Sequence, residues 1–496
     1  MKNLNSEKVK HVFYLLCFSI ISFASFSADY YWVGGAGNWS DINHWATTSG
    51  GSTLHPVVPS QNDNVIFNGS SGFTVGSNTV TINVTANCHD MTWVGALNTP
   101  VITGGSLNPL NIFGSITLQS GMVYTVDQTL FKSSDLTETI TTNGTQLNGY
   151  ITFDGIGGWT LQDDLRTRDG ASSIATIKLT KGTFTTNDRT VTTANFASGG
   201  IGSGSTEIRF LNLGSSTINI MYANYPWSYN NTGATLNAGT SHIIFHGNMT
   251  HSTNGATMYT NSGHVYHNIS FVNTLSPSAG LSGGLTANKV TFAGGGYLYN
   301  SNQVFDTLIF SAGKAYTLEP GGIKTINNLF EASAPVCTGL IQISSSNSSQ
   351  VTMDFTPGVL VSLNNTLIYG IRATGSVPVV ANNSVDLGNT SNISFPPAIG
   401  RTLYWVGGAG NWNDVNHWSL LNDGVFPPVG GGCIPTPIDN VEFNANSGFS
   451  SVNQIVNLNG VGHYCHDMTW VGALNTPVIT GGSLNPLNIF GSITLQ

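Results

Sequence analysis

Apolar and polar residues alternate in short runs along most of the chain. SITL at 115–118, YITF at 150–153, TIKL at 176–179, EIRF at 207–210 and TINI at 217–220 each turn every second side chain to an apolar face, and Gly, Asn and Ser punctuate the intervals. A period of two over about four residues predicts strands with one face inward. The longer period of an amphipathic helix is absent, so an all-β chain is expected.

A long-range pattern lies over this short one. YWVGGAGNWSDINHW at 31–45 returns as YWVGGAGNWNDVNHW at 404–418, and residues 88–119 recur without change at 465–496. The repeat divides the chain into a leader at 1–27, a first module at 28–400, with a cap and first coils at 28–95, and the start of a second, truncated module at 401–496. Because the second copy stops at Gln496, the counterpart of Gln119, a longer polypeptide with tandem modules is expected.

Short strands separated by turn residues suit a sandwich or a solenoid. A single sandwich of some 370 residues would be unusually large, whereas a solenoid grows by adding rungs that touch only their neighbours. Charge decides in the same direction, since only 8% of the 496 residues are Asp, Glu, Lys or Arg. Like charges stacked one rung apart would lie about 4.8 Å from each other, so a stacked parallel sheet favours Thr, Ser, Asn and Val. The predicted fold is therefore a right-handed parallel β-helix, in tandem modules, each with an aromatic-rich N-terminal cap. Coils of about 22 residues would give about 16 per module and a rod of about 75 Å.

The leader carries Lys2, Lys8 and Lys10 ahead of an apolar, uncharged stretch from Val12 to Phe23, then Ser25, Ser27 and Ala28. This is the pattern of a secretory signal peptide, and the apolar run is too short for a membrane span. Removing residues 1–27 leaves 12 basic and 23 acidic residues. Lys and Arg are absent from 12–131 and after Arg401. Without a basic stripe to neutralise phosphates, nucleic acid is not an expected partner, and the mature chain has no expected transmembrane segment. An extracellular or cell-surface location follows.

Eight of the ten tryptophans fall in the repeated module start: Trp32, Trp39, Trp45 and Trp93, then Trp405, Trp412, Trp418 and Trp470. They are expected to plug the open end of the first coil; a stacking platform for sugar rings at Trp32, Trp39 and Trp45 is the functional alternative. Asp63 and Asp439, each followed by Asn-Val, suit turn-forming aspartates, with calcium ligation as the alternative and no other cofactor expected. The densest charge cluster holds Asp163, Asp164, Arg166, Arg168 and Asp169. Asp163, Asp164 and Arg166 are the catalytic candidates if the chain is an enzyme, but adjacent carboxylates on extended chain point to opposite faces, which favours a solvated turn. Five histidines, His242, His246, His251, His264 and His267, lie close in sequence. Alternation sets His242 and His246 against Ile243 and Phe245, so a metal held by His242, His246 and His267 is the alternative to a structural reading. Cys433 has no cysteine counterpart in the first module, where Val57 aligns with it, and an optional Cys433–Cys465 disulfide is expected.

The module start, with DNVIF at 63–67, resembles the opening of β-helical passenger regions in bacterial autotransporter-like and adhesin-like surface proteins. The module end, with RATG at 372–375 and SVDLGN at 384–389, is similar to repeat modules of large secreted Bacteroidetes proteins, many of them clients of type IX secretion. The resemblance implies a secreted, non-catalytic, adhesin-like or structural protein that displays an extended binding surface. Its expected partners are polysaccharide or surface glycans and neighbouring modules of the same chain. A carbohydrate-active lyase or hydrolase is the alternative.

Overall fold

The computed structural model describes residues 27–495 apart from 168–175, 200–205, 222–225, 248–255, 276–278, 376–377 and the single positions 231, 262, 336, 338, 399 and 461. Residues 1–26 of the expected leader therefore lie outside the described residues. Of the chain, 48% is strand and 2% helix. The strands form long parallel sheets of fourteen, thirteen and ten members, and the chain passes from sheet to sheet before returning to the first. In the fourteen-stranded sheet, which runs from Ala86–Cys88 to Val385–Asp386, each return takes about 23 residues. At a strand spacing of about 4.8 Å this stack is about 60 Å long. It holds fewer strands than the 16 coils expected, because residues 28–85 go into the cap and the flanking sheets and only then feed this one.

Register places like residues on like. Phe245, Phe271, Phe292 and Phe310 are successive partners down one inner column, and Ile243, Ile269, Val290 and Leu308 fill the column two residues away. The alternation read from the sequence is thus converted into continuous apolar ladders, with most polar positions of the same strands half-buried or exposed and His264 and Gln303 turned inward. Stacking rings and branched side chains one rung apart removes apolar surface from water without requiring any one strand to be long.

At the start of the stack the strand Asp29–Trp32 pairs in parallel with Asn64–Asn68 and antiparallel with Trp45–Ala46. This short antiparallel strand ends the ten-stranded sheet and occupies the edge that would otherwise stay open. The second module repeats the arrangement with Thr402–Trp405, Trp418–Ser419 and Asn440–Phe443. Its sheets are separate from those of the first module, and its buried residues form a cluster of their own.

The two modules are joined covalently, but by a different bond from the one expected. Cys433 pairs with Cys337, with Cα atoms 4.4 Å apart, whereas Cys465 is a free, buried thiol. Cys465 points into its own module's core from the strand His463–Cys465, just as Cys88 does from Ala86–Cys88. Cys433 instead sits on the loop before Asn440–Phe443, against the loop that leaves Lys324–Ser333 of the first module. No helix of the described residues is long and apolar enough to cross a membrane.

Candidate binding groove

Trp32, Trp39 and Trp45 are 0–1% exposed and present no face to a ligand, which corrects the platform alternative. Trp32 stacks on His44 at 4.5 Å and meets Trp45 edge-on at 4.9 Å, while Phe67 stacks on Trp93 at 3.8 Å. Their polar handles are turned inward as well: Trp32 Nε1 donates to the Gly35 carbonyl and Trp45 Nε1 to that of Trp39. Such aromatic packing is self-contained, and it is duplicated around Trp405, Trp412 and Trp418.

The carboxylates proposed as catalytic tie neighbouring turns together. Asp163 accepts from Thr142 N at 2.8 Å, from Thr142 Oγ1 and from Asn143 N on the preceding circuit. Asp164 reaches the other way, accepting from Thr190 N at 2.8 Å on the following circuit. Asp188 continues the series with Ser215 N at 2.6 Å, and these bonds hold its carboxyl below the usual range. Asp163 and Asp164 are therefore aimed at different turns, Arg166 is exposed, and Arg168 and Asp169 lie outside the described residues.

Asp63 is likewise engaged, by Ser60 N, Ser60 Oγ at 2.6 Å and Ala28 N. His242 Nε2 meets Ser270 Oγ at 2.8 Å, and His246 Nε2 meets Asn219 Oδ1 at 3.0 Å. Burial lowers the basicity of both, with His267 adding to the effect on His242. His264 is buried in the interior and its pKa is lowered to about 4, while His251 lies outside the described residues. Among the described residues no group of three or more His, Cys, Asp or Glu is gathered as a metal set.

What the sequence reading did not single out is a groove of about 500 Å³ along one corner of the stack. It crosses successive turns, with Thr260 and Asn261 from one, Gly283 and Gly284 from the next, Asn300, Ser301 and Asn302 from a third and Gly321 from a fourth. None of these side chains is ionisable. Gly283 has φ +91, and a Cβ there would collide with the Thr260 carbonyl, so only glycine lets adjacent turns nest and leave the floor open.

The strands that leave these turns begin with His264, Leu285, Gln303 and Lys324, which are partners in register and all face inward. Gln303 Nε2 donates to the carbonyls of Leu281 at 3.0 Å and Gly283 at 3.1 Å. Lys324 Nζ donates to Ser301 O at 2.7 Å and to Tyr299 O. The turns are thus pinned from beneath by residues one circuit ahead, and burial pulls the Lys324 ammonium down to about 8. Just before Asn300 in the chain, Tyr297 and Tyr299 lie 4.4 Å apart, Tyr297 donates to Glu319 Oε1 at 2.7 Å, and Glu319 Oε2 accepts from Asn300 N. Side-chain amides, hydroxyls and two half-buried phenol rings on a pinned backbone can hydrogen-bond and stack on a neutral, hydroxyl-rich ligand.

Comparison with protein-family models, with curated proteins and with solved structures finds no match.

Proposed function

We propose that this chain is a secreted or cell-surface protein of tandem right-handed parallel β-helix modules that binds neutral polysaccharide or surface glycan without catalysis, in the manner of an adhesin. The observation that carries the reading is the uncharged, glycine-floored groove at Thr260, Gly283 and Asn300–Asn302, with Tyr297 and Tyr299 just before Asn300 in the chain. A net-acidic surface with few cations gives no attraction for polyanions, whereas apolar sugar faces pair with tyrosine rings and sugar hydroxyls with amides. Affinity at one groove would be modest, and repeated modules would raise it by multivalency.

The test is binding of the purified protein to a panel of neutral and acidic polysaccharides, with turnover followed in parallel. Binding to neutral glycans is expected, with Tyr299→Ala weakening it about tenfold, or about 1.4 kcal/mol, at unchanged thermal stability. Release of reducing or unsaturated ends that disappears in Asp164→Ala would overturn the non-catalytic reading.

A further inference from the structure

The two module starts share a framework but differ within it, and two of the differences meet at one place. Ala28 of the first module corresponds to Arg401 of the second, and Val57 corresponds to Cys433. The hydrogen-bonded turn around them is shared by the two modules. Asp63 accepts from Ala28 N, Ser60 N and Ser60 Oγ, and Asp439 accepts from Arg401 N, Thr436 N and Thr436 Oγ1 in the same pattern. Onto this shared turn the second module adds a guanidinium and a thiol.

The guanidinium is held in a fixed pose. Arg401 Nε and Nη2 bind the two oxygens of buried Asp439 at 2.9 and 2.8 Å. This fork leaves Nη1, which lies 3.3 Å from the sulfur of Cys337 and 3.3 Å from that of Cys433. Beside the bond is a cleft of about 320 Å³ between the modules, with Lys314, Gln342 and Leu367 on one wall and Asn413, Thr436 and Tyr464 on the other. Among the described residues no strand pairing crosses the junction, and the Cys337–Cys433 bond ties the two modules there.

We propose that Cys337 and Cys433 form an oxidation-set lock between successive modules, and that Arg401 is the positioning residue that speeds its closing. A cation at equal reach of both sulfurs stabilises the thiolate form, the species that attacks a disulfide. Cys337 is the more accessible of the two, since Cys433 is 2% exposed. With a glutathione-type disulfide as oxidant, the Cys337 thiol gives its proton to solvent and its thiolate attacks one oxidant sulfur, expelling a glutathione thiolate. Cys433, deprotonated in the same way, then attacks the Cys337 sulfur of the mixed disulfide and expels the second glutathione. Two electrons pass from the cysteine pair to the oxidant, which ends as two thiols. Arg401 and Asp439 are the charged groups at the pair, with Lys314 and Tyr464 in the adjoining cleft. The first module, bearing Ala28 and Val57, carries the shared turn without the lock.

The test uses the whole chain, reduced under native conditions. Cys88 and Cys465 are buried, and burial pushes the Cys465 thiol up to about 12, so alkylation reads Cys337, the half-buried member of the pair. In the wild type the alkylation rate is expected to reach half its maximum about one pH unit below the ordinary thiol value of about 8.5. Arg401→Gln should move that midpoint up by about one unit and slow closure by oxidised glutathione about tenfold, with Arg401→Lys restoring most of both. Coincident pH profiles for wild type and Arg401→Gln would overturn the role of Arg401. Because Arg401→Gln leaves Asp439 without its counter-ion, a second variant, Cys433→Val, copies the first module at that position. Small-angle scattering should show it more extended than the oxidised wild type; identical scattering of the two would overturn the lock.

Discussion

Trp39 and Lys324 show how burial sets the role of a single residue. Trp39 lies inside a cage of Trp45 and Phe67. Its truncation to Ala should destabilise the first module by about 3–5 kcal/mol in chemical denaturation, the usual cost of emptying an aromatic site. Trp39→Phe should leave glycan binding unchanged, which a sugar platform could not do. Lys324 is held at about 8 against an ordinary 10.5. The unfolded chain therefore keeps a proton that the folded chain has released between those values, and stability should rise with pH from about 8 to about 10.5. Lys324→Met removes that rise, as denaturation midpoints at a series of pH values would record. Neither residue's role is legible from its neighbours in sequence: a lone Lys after Gly-Gly-Ile reads as a surface residue until register sets it one rung beyond Gln303 and under the carbonyls of Tyr299 and Ser301.

At the scale of elements, the turns carry more specificity than the strands. Strands were legible, since the four-residue alternations at 150–153, 176–179 and 217–220 all appear as strands. The run at 207–210 is offset, with the strand formed by Arg209–Asn212, because Arg209 turns inward to bind the carbonyls of Asn230 and Thr232. The charge cluster at 163–166 was expected as a turn, but only Asp163 lies at a bend and Leu165–Arg166 is a strand, and its tie between three circuits was not legible because the partners Thr142 and Thr190 are 21 and 26 residues away. Asp163→Ala should cost about 1–3 kcal/mol and speed hydrogen exchange at the Thr142 and Asn143 amides, with glycan binding retained. Gly283→Ala should be costlier than a typical surface change, because it combines a left-handed φ with a clash against Thr260, and it should also weaken binding by closing the groove floor. The groove escaped the sequence reading for a plain reason: Thr260, Gly283, Asn300 and Gly321 are ordinary turn residues, and only stacking brings them into one surface.

For the whole molecule, the 32 residues shared by 88–119 and 465–496 fold alike in both modules. Met91–Val94 pairs with Asn64–Asn68 in the first and Met468–Trp470 with Asn440–Phe443 in the second, and Phe67 stacks on Trp93 as Phe443 stacks on Trp470, each at 3.8 Å. The sequence by itself determined the all-β class, the strand alternation, the duplicated aromatic module start and the low surface charge, because each follows from local periodicity, repetition or composition. Only the tertiary structure decided the Cys337–Cys433 partnership and the groove across four turns. Each of these depends on which chain segments lie one rung or one module apart, and contacts separated by 20 to 96 residues leave no local pattern to read.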